Sequence, residues 1–270
     1  MWLPAAIAIA LMTVAQARLF QGYSSSYQAT QITGFNWSNL RPSSNLRWTS
    51  CHESYECARL LLPLDWSREN NANKVAVALT RVPSTVDRAD QTFGGSILIN
   101  PGGPGGSGTD EVLWHGHGIR DSIIDSPDKH FEIIGFDPRG VHHTSPQVSC
   151  FAHDWDRKFF QYRNWVVGQL DGEHAFNVKN ATFASLAKLC SVSATGRFDD
   201  GTNMHQFVSS ALTARDMIGI VDALQEETIG EMTNSLGNQH KQQVLLAMSK
   251  PALVNYWGFS YGTYLGMLSL

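Results

Sequence analysis

Two stretches dense in aliphatic residues stand close together in the first third of the chain. They are "CARLLLPLDW" (57–66) and "KVAVALTRV" (74–82), and the polar run "SRENNAN" separates them. Apolar, β-favouring runs around a polar, turn-rich link predict an antiparallel pair. "GGSILIN" (94–100) and "HFEIIGFD" (130–137) are short apolar runs suited to buried strands. Between them lies "TDEVLWHGHGIRDSI" (109–123), a helix opened by Thr109 and Asp110. "HQFVSSALTARDMIGIVDALQEE" (205–227) repeats apolar residues with the period of a long amphipathic helix. Near the end, "ALVNYWG" (252–258) reads as a strand and "YGTYLGMLSL" as the start of another helix. From residue 94 onward strands and helices alternate, which predicts a parallel sheet in an α/β fold. Three stretches resist this reading. Residues 18–50 lack a period and are expected to be an extended lead-in. Residues 150–200 carry aromatic clusters without visible order, and 228–250 is polar enough to be a surface excursion.

Composition narrows the setting. With 270 residues, 43% hydrophobic and 16% charged, the chain can bury a core. A net charge of −4 gives no electrostatic case for nucleic acid. Leu3 to Val14 is an apolar run followed by Ala15-Gln16-Ala17, the pattern of a signal peptide over residues 1–17 with a small-residue cleavage site. The run is short for a bilayer span, so a secreted protein with no membrane segment after signal removal is expected. Asn36-Trp37-Ser38 and Asn180-Ala181-Thr182 are glycosylation acceptors. The even set Cys51, Cys57, Cys150 and Cys190 allows three disulfide pairings, of which Cys51–Cys57 and Cys150–Cys190 join nearest neighbours. No two cysteines have the short spacing of a zinc site, and neither a metal nor a cofactor is expected.

The chemistry gathers at Gly258-Phe259-Ser260-Tyr261-Gly262, a G-x-S-x-G between a predicted strand and a predicted helix. That context is the one a nucleophile elbow needs: a strained turn holds the serine, and side chains in place of the flanking glycines would strike neighbouring backbone. The helix start then aims N–H groups at a developing oxyanion. A second element, "NPGGPGGSG" (100–108), follows a strand, where a Gly-rich loop can bring backbone N–H groups against a ligand. Gly103, Gly105 and Gly108 also fit the dinucleotide fingerprint, with Asp137 as the ribose acid. Pro101 and Pro104 argue against that, because they remove N–H donors from a loop meant to cradle a pyrophosphate. In the third element, "GFDPRGVHHTSP", Asp137 could serve as a triad acid. Ahead of the serine it stands too early for the order Ser, acid, His, so Asp137 and Arg139 are expected to form an Asp–Arg pair that ties loops beneath the site. His142 and His143 lie on the same loop, and chain order argues against either as the general base.

Taken together and in order, "CARLLLPLDW", "INPGGPGGSG", "GFDPRG" and "YWGFSYGTYLG" resemble the secreted tripeptidyl-aminopeptidase and prolyl-aminopeptidase branch of the α/β-hydrolases, over about residues 46–270. The resemblance implies an α/β-hydrolase domain from residue 51 onward and a serine peptidase acting on peptides with a free N-terminus. It implies Ser260 as nucleophile, the N–H groups of Tyr261 and Gly103 as oxyanion hole, and a cleft bordered by Gly102, Pro104 and Gly105. In the family the acid and histidine lie on later strands, beyond a helical cap. All ten histidines here precede Ser260. The sheet is therefore expected to stop after the elbow, lacking its last strands and cap, and the chain to be nearly inactive by itself. An esterase of the same fold and a non-catalytic peptide-binding homologue are the competing expectations.

Overall fold

The computed structural model describes residues 35–68, 72–166, 172–193, 195–234 and 253–269. The chain divides into Met1–Asn36 and Trp37–Leu270. The expected signal peptide, the lead-in as far as residue 34, and 235–250 of the expected surface excursion lie outside the described residues. The architecture is that of the second unit.

Six strands form one sheet in the order β1-β2-β3-β5-β4-β6. They are β1 (Thr49–Cys51), β2 (Tyr55–Pro63), β3 (Lys74–Val82), β4 (Phe93–Asn100), β5 (His130–Phe136) and β6 (Tyr256–Gly258). The expected hairpin is present: β2 and β3 pair antiparallel, with Leu60 opposite Val77. β3 runs against β5 as well, whereas β4 pairs in parallel with β5 and with β6. β2, β4, β5 and β6 therefore share one direction, and β1 and β3 oppose it. The parallel β4/β5 pair requires a crossover, which α1 (Gly108–Ile119) supplies.

Alternation along the strands builds two cores. Val75, Val77 and Leu79 of β3, Leu98 of β4 and Ile134 and Phe136 of β5 meet Met217, Ile220, Val221 and Leu224 of α4 (Ser210–Asn234) on one face. Leu265 of α5 (Tyr261–Leu268) joins that layer. On the other face Val82, Ile97, Ile99 and Ile133 pack on Val112 and Ile119 of α1. β3 is buried on both faces because helices cover it above and below, which is why Val75–Leu79 is an unbroken aliphatic run rather than alternating.

The structure corrects the outline in four places. β1 and an isolated bridge from Ser43 to Leu60 place the described end of the lead-in against β2. Residues 150–200, without visible order in sequence, form two helices, α2 (Asp154–Val166) and α3 (Glu173–Val192), bridged by Cys150–Cys190. Their large side chains, among them Trp155, Phe159, Tyr162 and Phe183, stay exposed. α3 does turn a face inward, with Ala175, Val178, Thr182, Leu186 and Cys190 recurring at helical spacing, but the exposed aromatics set among them hide that period in the sequence. α4 starts at Ser210 rather than 205, since Met204–Phe207 is a separate 3-10 turn whose Asn203 side chain accepts from the His205 N–H. It also runs on to Asn234, into the stretch expected as a surface excursion. Cys51–Cys57 is the other bridge, and no cysteine is free.

Candidate active site

β6 delivers the chain into a sharp turn. Gly258 closes the strand, Tyr261 opens α5, and Ser260 between them has φ 51° and ψ −122°. An L-residue rarely adopts that backbone, and the surroundings must hold it there. They do so with three short-range bonds: Phe259 N–H to the Asn100 carbonyl at 3.0 Å, Gly262 N–H to the Phe259 carbonyl at 2.7 Å and Thr263 N–H to the Ser260 carbonyl at 3.0 Å. The Tyr256 hydroxyl adds a bond to the Gly262 carbonyl at 2.8 Å. Burial keeps that phenol protonated well above its ordinary range. The flanking glycines are sterically required. A Cβ on Gly258 would sit 2.4 Å from the Gly262 carbonyl, and one on Gly262 2.7 Å from the Asn100 oxygen. Ser260 itself is exposed.

The Gly-rich loop lies against this turn. A Cβ on Gly102 would fall 2.3 Å from the Phe259 oxygen, 2.9 Å from the Tyr261 nitrogen and 3.0 Å from the Ser260 Cβ. Gly102 is thus the loop residue in direct contact with the elbow. Gly103 follows it at φ 108°, while Pro104 and Gly105 reach into solvent. The loop is folded on itself by Gly106 N–H to the Gly102 carbonyl and by Gly102 N–H to the Asn100 side-chain oxygen, both at 2.9 Å. Asn100, the first residue of the Gly-rich loop motif, links the two elements. It is 1% exposed, and its two oxygens hold the elbow and the loop together. Its position at the end of β4, one proline ahead of the Gly102-Gly103 pair, was the available signal. As the first residue of α5, Tyr261 has an N–H with no carbonyl of its own helix to bond.

Asp137 and Arg139 lie beneath. Asp137 is fully buried and accepts from the Ser107 hydroxyl at 2.8 Å, the Thr109 N–H at 3.1 Å and the His143 N–H at 3.0 Å, with the Thr109 hydroxyl at 3.0 Å. Burial pushes its carboxyl up, and those donors pull it back. All its hydrogen bonds go to hydroxyls and backbone amides, so the expected pair with Arg139 does not form, and Asp137 instead ties the start of α1 to the 137–144 loop. Arg139 bonds Asp216 of α4 through Nε at 2.5 Å and Nη2 at 2.8 Å, and reaches the Leu64 and Pro63 carbonyls at 2.6 Å each. The two histidines of that loop are engaged too. His142 Nε2 lies 3.3 Å from Asp110 Oδ2, and His143 stacks on Trp37 with ring centroids 4.6 Å apart. The Asp110 bond raises His142, while burial and the neighbouring His142 lower His143 to about 4. The expected glycosylation acceptors Asn36 and Asn180 are exposed, the latter on α3.

A strained serine between strand and helix, backed by a Gly-rich loop after the neighbouring parallel strand, defines an α/β-hydrolase. Within that class the chain is related to the peptidase branch that includes the tripeptidyl aminopeptidases. It is 34% identical to the serine protease Hip1 of Mycobacterium tuberculosis over 232 residues, 82% of this chain and 36% of that protein. It is 26% identical to a tripeptidyl aminopeptidase of Streptomyces lividans over 234 residues, 86% of this chain and 35% of that one. A carboxylesterase B of M. tuberculosis is 35% identical over 125 residues, 43% of this chain and 22% of the esterase. The chain thus spans about a third of the length of the peptidases it matches. No family model matches it.

Proposed function

We propose that Ser260 is the nucleophile of a secreted serine peptidase that releases tripeptides or single residues from free N-termini. The N–H groups of Tyr261 and Gly103 would bind the oxyanion. One observation carries this reading: Ser260 holds a strained backbone at the strand–helix junction while Gly102 packs on its Cβ. A plain strand–turn–helix has no need of that strain, whereas a nucleophile must stand clear of its own helix and within reach of backbone donors. The Ser260 Oγ would add to the scissile carbonyl carbon, the C=O π pair moving onto an oxygen that faces the Tyr261 and Gly103 N–H groups, and the serine proton would need a general base beyond these residues. Neither His142, paired with Asp110, nor His143, stacked on Trp37, is assigned as that base. Gly102, Pro104 and Gly105 border the cleft. The two disulfides, the Leu3–Val14 run and the exposed Asn36 and Asn180 support an extracellular, glycosylated protein.

Slow labelling by an excess of a fluorophosphonate, with the adduct located by mass spectrometry, tests the nucleophile, and rapid stoichiometric labelling would overturn the expectation that the chain is nearly inactive by itself. The label belongs on Ser260 and disappears in Ser260→Ala; equal labelling of that variant sinks the assignment. The carboxylesterase match supports a second reading, an esterase. A tripeptide anilide with a free amine, its N-acetylated counterpart and a short-chain ester separate the two. The peptidase prefers the free amine, and the esterase turns over only the ester.

A further inference from the structure

Beside the elbow machinery stands a group of side chains that the proposed hydrolysis does not use. We propose that Asp110, His142 and His143 form a binding site for one divalent transition-metal ion of the zinc type. Each offers one donor atom, and the three donors lie within 4.8 Å of one another. The Asp110 Oδ2 to His142 Nε2 separation is 3.3 Å. Tetrahedral zinc with bonds of about 2.0–2.1 Å spaces its donors about 3.3–3.4 Å apart, so that edge already has the required length. Two imidazoles and one carboxylate suit zinc, cobalt, nickel or copper and are a poor set for magnesium or calcium, which take oxygen. Three protein ligands leave a position for water.

The donors come from two elements that are already tied together. Asp110 sits in the first turn of α1, its N–H bonded to the Ser107 hydroxyl at 3.1 Å. The histidines sit on the loop after β5. Asp137 bridges these elements, accepting from Ser107 and Thr109 on one side and from the His143 N–H on the other. His142 has φ 44°, a left-handed backbone that a non-glycine residue adopts at a cost. That turn sets its ring 3.8 Å, centroid to centroid, from the ring of His143. A surface ion pair would account for Asp110 and His142 alone. The second imidazole, 3.8 Å from the first, brings a third donor to the same place, which one cation can bridge. The charges facing the group are the Asp137 carboxylate behind His142, Arg59 beside His143, and His52 near both Asp110 and His143. The proposal is independent of the role assigned to Ser260.

Isothermal titration of the tag-free chain with zinc chloride tests it, with the visible spectrum of bound cobalt as a report on coordination geometry. One zinc per chain is expected, a tetrahedral cobalt spectrum, and no heat with magnesium. His142→Ala, His143→Ala and Asp110→Asn should each weaken binding by about tenfold or more, since changes to outer-shell partners alone already cost about 10–100-fold. The exposed, distant His153→Ala should leave it unchanged. His143 packs on Trp37, so circular dichroism must show that its variant is folded; the half-exposed His142 decides if it is not. Failure of zinc to bind, binding undiminished in His142→Ala, or equal loss in His153→Ala overturns the site.

Discussion

Removing Arg139 should destabilise the fold out of proportion to a single side chain. Its side chain is 0% exposed and that of Asp216 2%. All five guanidinium N–H groups are used: two on Asp216, and one each on the carbonyls of Leu64, Pro63 and Phe207. Asp216 keeps one other donor, the Trp66 indole N–H at 2.9 Å. Arg139→Met therefore leaves a buried carboxylate with a single neutral donor, and breaking a buried pair in this way costs about 3–5 kcal/mol. At about 2–4 °C per kcal/mol for a domain of this size, Tm should fall by about 6–20 °C. Asp216→Leu strands the guanidinium instead and should cost a similar amount. The double variant removes both charges and leaves only neutral groups short of a partner, the three carbonyls and the Trp66 indole N–H, so it should lose clearly less than the sum of the singles. Urea unfolding followed by tryptophan fluorescence gives all four stabilities of the cycle. Single losses below about 1 kcal/mol, the level of an exposed pair, would refute the reasoning. So would a double variant that equals the sum of the singles.

Three further outcomes follow from the same geometry. Gly105→Ala should cost about 1–3 kcal/mol through its positive φ alone, because nothing lies within 4 Å of the added methyl. Gly102→Ala should add about 1–3 kcal/mol of overlap, and equal losses in denaturant titrations would remove Gly102 from the elbow. Replacing Cys150 and Cys190 by serine releases a link across 40 residues, worth about 4 kcal/mol of chain entropy against about 2 kcal/mol for the pair Cys51 and Cys57; reversal of that order in thermal unfolding would contradict it. Burial and Arg120 hold His117 below its ordinary value against the pull of Asp121, in contact with Ser54 and Tyr55. The unfolded chain then takes up that proton first, so stability present above about pH 6.5 declines as pH falls through it. His117→Gln should flatten that part of the stability profile, and an unchanged slope would exclude His117 as its source.

Much of the sheet was legible because its signals are local. The β2–β3 hairpin follows from two aliphatic runs around a polar turn, and the parallel β4, β5 and β6 from strand–helix alternation. The elbow was legible because sterics at Gly258 and Gly262 act over four residues. α2 and α3 were not, since Trp155, Phe159 and Phe183 face solvent and blur the inward face that Ala175, Val178, Leu186 and Cys190 form on α3. The site was only partly visible. Ser260 and the Gly-rich loop stand out as motifs, yet the close approach of Gly102 to the elbow does not. That depends on how β4 and β6 are registered, with Asn100 opposite Gly258.

Sequence by itself therefore determined the α/β class, the disulfide candidates and the serine that stands on the turn. These rest on periodicity, residue counts and backbone sterics, which act between neighbours along the chain. Tertiary structure alone decided that Arg139 meets Asp216 across 77 residues, that Asp137 ties α1 to the loop after β5, and that Asp110 faces His142 and His143. Such pairings depend on the packing of whole elements, and no local pattern encodes which distant side chain will complete a buried charge or a set of ligands.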